Sequence, residues 1–157
     1  MSVRVLAALA AALLVPAAAL AGALAPAKAS DLVVVYTKEV VGTCPNGGRV
    51  FDTRVLPDGT EAPFVIPPKR VFVITSLEYS FESNADPNWN ATPLLSLQNG
   101  PSPQPILKGF GVTDALGSGS GQVLVPAGVA VRAGPMICIS AGEGASGVLH
   151  GFFAKDK

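Results

Sequence analysis

The stretch VFVITSLEYSF, Val71 to Phe81, carries the strongest strand signal in the sequence and decides the fold class. Its odd positions are almost all apolar, whereas its even positions begin apolar at Phe72 and end polar at Ser80. Alternation with a period of two is typical of a β-strand that buries one face. We therefore predict a strand whose odd-numbered face is buried along its whole length, and whose first residues are covered on both faces.

Shorter segments of the same kind lie on both sides of this strand, separated by turns rich in glycine and proline. They are Leu32 to Val41, Arg49 to Val55, Leu94 to Gln98, Ile106 to Val112, Gln122 to Val125, Val129 to Arg132, Met136 to Ser140 and Val148 to Ala154. Short strands that are interrupted this often are typical of β-sandwiches and jelly rolls. We predict an all-β fold, a single antiparallel β-sandwich of the jelly-roll type, in which Ser118 to Gly121 forms a flexible loop.

The beginning of the chain has the residue order of a secretory signal peptide. Arg4 provides a positive charge, an Ala/Leu/Val run follows as far as Leu24, and Ala27-Lys28-Ala29 has the small-x-small pattern that precedes cleavage. Ala23-Leu24-Ala25 is a second candidate, but Pro26 directly after it would hinder cleavage. A membrane-spanning helix is the alternative, but alanine is weakly apolar and no basic stop-transfer cluster follows. We predict a signal peptide over residues 1–29, a β-sandwich domain over residues 30–157, no membrane span in the mature chain, and a secreted or periplasmic location.

The charge balance of the mature chain bears on its partners. Removing residues 1–29 leaves nine basic and eleven acidic side chains in 128 residues, so the net charge is −2. A protein that holds nucleic acid or an anionic membrane usually carries a basic surface, which this composition does not provide. We therefore predict no nucleic-acid partner, and one hydrophobic core in a chain of this length.

The sequence contains two cysteines, Cys44 beside a Pro-Asn-Gly-Gly turn and Cys138 near the end of the chain. In an exported protein, two cysteines are most simply explained by one disulfide. A zinc site normally takes three or four Cys or His ligands, and the chain has a single histidine, His150. A reactive Cys–His pair is the remaining alternative, but an exposed thiol would be oxidised outside the cytoplasm. We predict a Cys44–Cys138 disulfide.

Two phrases, FVIPPKRVFVIT and VLVPAGVAVRAGPMICIS, share a layout of apolar residues, a proline turn and a strand that begins with valine. This layout resembles the "V-P-A-G, then V-x-V" hairpins of small exported bacterial β-sandwich proteins of unknown function. It also resembles, more loosely, jelly-roll domains of the C1q/tumour-necrosis-factor type. The resemblance implies a fold and transfers no functional residues.

Catalytic and metal sites would have to use His150 or an acidic pair. No G-x-S-x-G nucleophile elbow accompanies the histidine, and a cupin-type metal centre needs several histidines. We predict a structural role for His150, no cofactor and no metal. A hydrolase acting through Glu78 with Glu82, or Asp86 with Glu143, is an alternative, since the separation and burial that decide it are not visible in sequence.

The segment SNADPNWNATP, Ser83 to Pro93, surrounds the single tryptophan, Trp89, with oxygen-bearing side chains at alternate positions. Such oxygens can converge on calcium, but the glycine and the bidentate glutamate of a calcium loop are missing. An exposed aromatic ring flanked by amides can also hold a sugar, with the ring against C–H groups and the amides on hydroxyls. We predict a ligand site made of four residues, Asp86, Asn88, Trp89 and Asn90; the alternative is that Trp89 folds back over the core.

These features predict an exported, non-enzymatic binding or structural module. Its ligand would be an extracellular carbohydrate or protein, held by loops at one end of the sandwich. Two alternatives are a secreted hydrolase that uses an acidic pair and a subunit of a homo-oligomeric assembly at the cell surface.

Overall fold

The computed structural model describes residues 25–38, 44, 48–82, 88–100, 102–141 and 144–156. Over this part of the chain the protein is almost entirely β-structure, preceded by one 3₁₀ turn at Ala29–Asp31. The strands are β1 (Leu32–Thr37), β2 (Arg49–Val55), β3 (Glu61–Pro63), β4 (Arg70–Glu82), β5 (Asn90–Ala91), β6 (Leu94–Gln98), β7 (Pro103–Lys108), β8 (Gly111–Val112), β9 (Ser118–Arg132), β10 (Met136–Ser140) and β11 (Ser146–Lys155).

A large antiparallel sheet contains most of the strands, in the order β7-β6-β10-β2-β1-β11-β4-β9, with β3 paired to β2. Strand β2 joins the two halves, because Val50 pairs with Cys138 of β10 whereas Thr53 pairs with Tyr36 of β1. The edge strands β7 and β9 approach each other, so the sheet curls into a nearly closed barrel. The predicted all-β, antiparallel fold is confirmed.

The core lies inside the curled sheet, where side chains from both halves meet. Val35, Leu77 and Leu149, on the adjacent strands β1, β4 and β11, have no accessible surface, and neither do Leu95 and Ile139 of the other half. Burying an aliphatic side chain of this size stabilises the folded state by about 1.5–3 kcal/mol. The core therefore joins the two halves of the sheet.

A β-bulge in β4 divides this strand into two parts. Ile74 pairs with Gly151 of β11 and Ser76 pairs with His150, so Thr75 is an extra residue without a pairing partner on β11. The Thr75 hydroxyl donates a hydrogen bond to the carbonyl of His150 at 3.1 Å. Because side chains alternate with a period of two, one extra residue exchanges the inward and outward positions.

The prediction that the odd-numbered positions of this strand are buried, with both faces covered at its start, is confirmed except at Thr75, but before the bulge the two faces belong to different clusters. Before the bulge, Phe72 and Ile74 point into the barrel, and Val71 and Val73 point to the other side. Val71 and Val73 are nevertheless buried, in a small second cluster with Ala154. After the bulge the odd positions face the core, as predicted.

The second cluster is covered by a bulge in β9. Ile74 pairs with Val129 and Ser76 with Leu124, so residues 125–128, VPAG, loop out opposite Thr75. Gly128 has a φ of 70°, and a Cβ at this position would overlap Cγ1 of Val73. The VPAG segment is therefore a bulge that packs on β4 inside one long strand, where the sequence predicts a turn between two strands.

The segment Ser118 to Gly121 is not the flexible loop that its composition predicts. It is the first part of β9 and pairs with the end of β4, with Gly119 opposite Phe81 and Gly121 opposite Tyr79. A Cβ on either glycine would overlap the opposite ring. Glycine is needed at these positions because an aromatic ring lies across the strand.

The predicted Cys44–Cys138 disulfide is confirmed. It closes a separation of 94 residues, with Cα atoms 5.9 Å apart, and both cysteines are buried. Most of the predicted signal peptide lies outside the described residues. Within the part of the chain that is described, no helix is long and apolar enough to cross a bilayer.

Candidate functional site

Trp89 lies at the end of the barrel where β4 finishes and β9 begins, beside the two-stranded ladder of β5 and β8. In this ladder Asn90 pairs with Val112, and Ala91 pairs with Gly111. Ala91 and Gly111 are buried, whereas Asn90 and Val112 are exposed. One face of the ladder therefore packs on the barrel, and the other faces solvent.

The backbone of Trp89 is held by Thr113. The Trp89 amide donates to the Thr113 hydroxyl at 2.8 Å, and the Trp89 carbonyl accepts from the Thr113 amide at 3.0 Å. The amide of Asn88 donates to the Thr113 carbonyl at 3.1 Å. Asn88 has a φ of 64°, a left-handed conformation that asparagine tolerates better than most residues. These bonds fix the backbone of the tryptophan, and the residue remains 39% exposed.

The ladder is positioned by the rings of Tyr79 and Phe81. A Cβ at Gly109 would lie 2.7 Å from the Tyr79 ring, and one at Gly111 would lie 2.7 Å from the Phe81 ring. The Tyr79 ring thus lies against Gly109, just before β8, and against a glycine of β9. The Phe81 ring lies against Gly111, within β8, and against another glycine of β9. The close packing sets the distance between the ladder and the barrel.

Phe110 stands between those two glycines and points outward. The Tyr79 hydroxyl donates to the Phe110 carbonyl at 2.7 Å and accepts from the Phe110 amide at 3.2 Å. A buried tyrosine therefore satisfies both backbone groups of Phe110, whose side chain is 66% exposed. An exposed phenylalanine on a fixed backbone loses little conformational entropy when a ligand covers it.

Leu116 occupies the tip of the tight turn that leads into β9. The Asp114 carboxylate accepts from the amides of Ser118 at 3.0 Å and Leu116 at 2.8 Å, and these hydrogen bonds lower the pKa of Asp114. The Asp114 amide also donates to the Ser118 carbonyl at 2.7 Å. The turn presents Leu116 with 89% of its surface exposed.

Four exposed apolar side chains thus come from this end of the barrel, and we call them the apolar rim. They are Trp89, Phe110, Val112 and Leu116. Exposed amides and a hydroxyl accompany them, from Asn88, Asn90 and Thr92. Large apolar side chains that are exposed to solvent on a fixed backbone are typical of an interaction surface.

The structure brings together three of the four predicted site residues. Asn88, Trp89 and Asn90 are consecutive and exposed, while Asp86 lies outside the described residues. Sequence reasoning missed Phe110, Val112 and Leu116. A usable signal was the GFG triplet around Phe110, because two glycines beside one large aromatic residue indicate close packing on either side of it.

His150 and Glu78 lie together on the outer face of the sheet, away from the rim. His150 Nε2 is 3.2 Å from Glu78 Oε1, and Gln122 Nε2 donates to the same oxygen at 3.4 Å. A cavity of about 360 Å³ opens beside Glu78 and is also lined by Tyr36 and Val148. Glu78 is its one charged lining residue among those described, so the cavity offers no pair of carboxylates there.

The acidic pairs of the hydrolase alternative cannot be placed. Asp86, Glu143 and the side chain of Glu82 lie outside the described residues. Among the residues that are described, no three His, Cys, Asp or Glu side chains come together in a way that could hold a metal ion.

Comparisons of the chain with protein-family models, with curated proteins and with solved structures found no match in any of the three. The rim is therefore interpreted from its own chemistry.

Proposed function

We propose that this protein is an exported, non-enzymatic binding module, secreted or periplasmic, that holds its ligand at the apolar rim. The observation that carries the proposal is the exposure of Trp89, Phe110 and Leu116 on backbone that hydrogen bonds fix, from the buried Thr113 and Tyr79 and from the exposed Asp114. The disulfide supports export, because such bonds persist in oxidising compartments.

The leading ligand is a neutral carbohydrate. The rings of Trp89 and Phe110 offer faces for sugar C–H groups, and the exposed amides of Asn88 and Asn90 offer donors and acceptors for hydroxyls. Oδ1 of the nearby Asp114 carboxylate accepts from two backbone amides and so holds the turn. The surface thus combines aromatic area with uncharged polar groups.

A protein partner is the second candidate, and Leu116 favours it. A leucine gives a sugar no flat aromatic face, yet it is the most exposed large apolar side chain among those described. A projecting aliphatic residue on a rigid turn can fill a pocket on a partner protein. The two candidates therefore depend on different residues of the rim.

The jelly-roll arrangement also belongs to the proposal. We infer that the curled sheet is a flattened barrel with two four-stranded faces, β7-β6-β10-β2 and β1-β11-β4-β9. This inference is supported by the change of partner along β2, which pairs with β10 at its start and with β1 after that. It is also supported by a core that draws buried residues from both faces.

The experiment that tests the function uses mature protein on a glycan array, followed by titration calorimetry with the glycans that bind. If the ligand is a carbohydrate, Trp89→Ala weakens binding at least tenfold, about 1.4 kcal/mol, while Leu116→Ala leaves it unchanged. Leu124→Ala is the matched control, since Leu124 is also an exposed leucine but pairs with Ser76 in the middle of the sheet.

The opposite pattern identifies a protein partner. In that case the array shows no binding. The Leu116→Ala variant no longer captures the partner protein, whereas the Trp89→Ala variant still captures part of it. Equal binding affinity of all three variants for every ligand tested would contradict the proposal. The solution mass of the same sample tests the homo-oligomer alternative.

A further inference from the structure

Asp31 is a buried carboxylate at the start of the first strand. It ends the 3₁₀ turn, and only 4% of its surface is accessible. Its Oδ1 receives a long hydrogen bond from Nη1 of Arg70, at 3.4 Å. Its Oδ2 is buried and has no hydrogen-bond partner among the described residues. A buried carboxylate oxygen without a partner is costly, so this atom needs an explanation.

Arg70 is the cation that the structure places on Asp31, and it leaves Oδ2 unmatched. Arg70 divides its Nη1 between Asp31 and the Phe153 carbonyl, at 3.5 Å, and its side chain is 36% exposed. Arg54 approaches from β2, with its guanidinium carbon 5.2 Å from the centre of the Phe153 ring. Lys69 and Lys155 are exposed nearby. No cation in the described chain is placed on Oδ2.

A cavity of about 530 Å³ is lined by Arg70, the residue that contacts this carboxylate. Arg70 and Phe153 line it on the side of the barrel, and Ala25 and Ala27 line it on the other side. Both alanines precede the bond at which the sequence predicts cleavage, after Ala29. Residues 25–30 are exposed, so this bond is accessible in the folded chain.

Cleavage after Ala29 changes the chemistry one residue from Asp31. Water adds across the Ala29–Ser30 amide bond in a reaction that a signal peptidase catalyses. The Ala29 carboxylate leaves with the leader, and the Ser30 nitrogen takes up protons to become an ammonium group. A neutral amide with one donor is thereby replaced by a positive group with three donors, on a residue that the cleavage has made free to rotate.

We propose that the new α-ammonium group of Ser30 binds Oδ2 of Asp31 and so completes the fold at this end of the barrel. The proposal rests on the export part of the proposed function, because it requires removal of residues 1–29. Under it, the leader-bearing chain carries an uncompensated buried oxygen, and the mature chain does not. Cleavage also removes the carbonyls of Lys28 and Ala29, which accept from the amides of Asp31 and Leu32, so processing stabilises the protein when the new pairing outweighs the loss of these two hydrogen bonds.

Three proteins test the proposal, each prepared with Asp31 and with Asp31→Asn. They are residues 30–157 with a free amine, residues 30–157 with the amine acetylated, and residues 25–157. We expect the free-amine protein to melt higher than the other two at pH 7, by about 3 °C or more, and we expect Asp31→Asn to remove the difference. A difference that persists in the Asp31→Asn proteins would overturn the proposal, and so would equal melting of all three with Asp31 present.

A second measurement does not depend on the stability of a variant. The Ser30 amine is labelled by ¹³C reductive methylation, which keeps its charge, and is titrated by NMR. Pairing raises its pKa above the ordinary α-amino value of about 7.7–8.0, so the added stability is present below that value and is lost as the pH rises through the higher pKa. A pKa at or below the ordinary value would contradict the pairing.

The mass of the exported protein tests cleavage after Ala29 separately from the pairing of Ser30 with Asp31. A mature chain that begins at Ser30 supports the export on which the inference rests. A chain that begins elsewhere overturns the inference for the natural protein, while the three prepared proteins still measure whether the ammonium group and Asp31 interact.

Discussion

At the scale of single residues, two aromatic side chains connect the core to the rim. Tyr79 and Phe81 point inward from β4, and their rings lie against glycines of β9 and of the segment that forms β8. The Tyr79 hydroxyl then reaches the backbone of Phe110. The exposure of Phe110 is therefore a consequence of buried packing, because the backbone that carries it is held from inside.

Substitution of Gly121 tests this packing. In Gly121→Ala the new methyl group overlaps the Tyr79 ring, and we expect a loss of about 1–3 kcal/mol in the free energy of unfolding. The control is Ser120→Ala at the exposed neighbouring position, which should change it by less than about 0.5 kcal/mol. Urea unfolding of both variants gives the comparison. Equal stability would mean that this segment is the flexible loop that its composition predicts.

The Leu116 turn should depend on pH through Asp114. Hydrogen bonds from the Ser118 and Leu116 amides lower the pKa of this carboxyl, so their contribution is present above its ordinary value of about 3.9 and is lost as the pH falls through the lower value in the folded protein. We expect the amides of Leu116 and Ser118 to lose their hydrogen-bonded chemical shifts in NMR spectra over that acidic range. Asp114→Asn should show no such transition, and a transition that survives this change would assign the effect to another group.

At the scale of elements, the two bulges determine which side chains reach the core. Thr75 in β4 and residues 125–128 in β9 lie opposite each other, between the Ile74 and Ser76 pairs. Because of the bulge in β4, the two even-numbered residues just before Thr75 are apolar and point into the core, whereas those after Thr75 are polar and point outward. The bulge in β9 covers Val73, which would otherwise be an apolar residue on the outer face.

Single-residue deletions in β4 test the bulge. Deleting Thr75 makes the ladder with β11 regular and leaves every other side chain of β4 on its present face, so we expect a folded protein that has lost roughly the 0.5–1.5 kcal/mol of one hydrogen bond. Deleting Glu78 exchanges the faces on one side of the deletion and moves Leu77 or Tyr79 out of the core. We expect that protein to be unfolded by circular dichroism. Equal tolerance of the two deletions would show that the strand has no fixed bulge.

At the scale of the whole molecule, the strand order joins distant parts of the chain. Strand β1 lies between β2 and β11, and β4 lies between β11 and β9, so most pairings in the sheet connect residues far apart in sequence. The disulfide ties the segment before β2 to β10, next to the point where the two halves of the sheet meet. Such pairings are costly to form because long loops must close before any contact is made.

The disulfide should therefore contribute strongly to stability. The loop of 94 residues corresponds to roughly 4–5 kcal/mol in the chain-entropy account, an upper value. We expect the Cys44→Ser, Cys138→Ser double variant to unfold at a much lower urea concentration than the oxidised protein. Intact mass after alkylation checks the bond itself, and two modified thiols in native, unreduced protein would contradict it.

Much of the fold could be predicted from sequence because it depends on local pattern. The alternation in Val71 to Phe81 indicates a strand, the frequent glycines and prolines indicate short β-segments, and two cysteines in an exported chain indicate one disulfide. The predicted Asn88, Trp89 and Asn90 also lie together in an exposed segment, because they are adjacent in the chain. Each of these conclusions needs only the geometry of a strand or the chemistry of a compartment.

What the sequence by itself determined is thus the β character of the chain, the existence of its main strand and the pairing of its cysteines. Only the tertiary structure decided which face of β4 enters the core before Thr75, that the GSGSG segment is a strand, and that Phe110, Val112 and Leu116 join Trp89 at one end. The physical reason is that a bulge, a glycine under an aromatic ring and a surface built from two loops are each defined by a partner distant in sequence. Local periodicity carries no information about that partner.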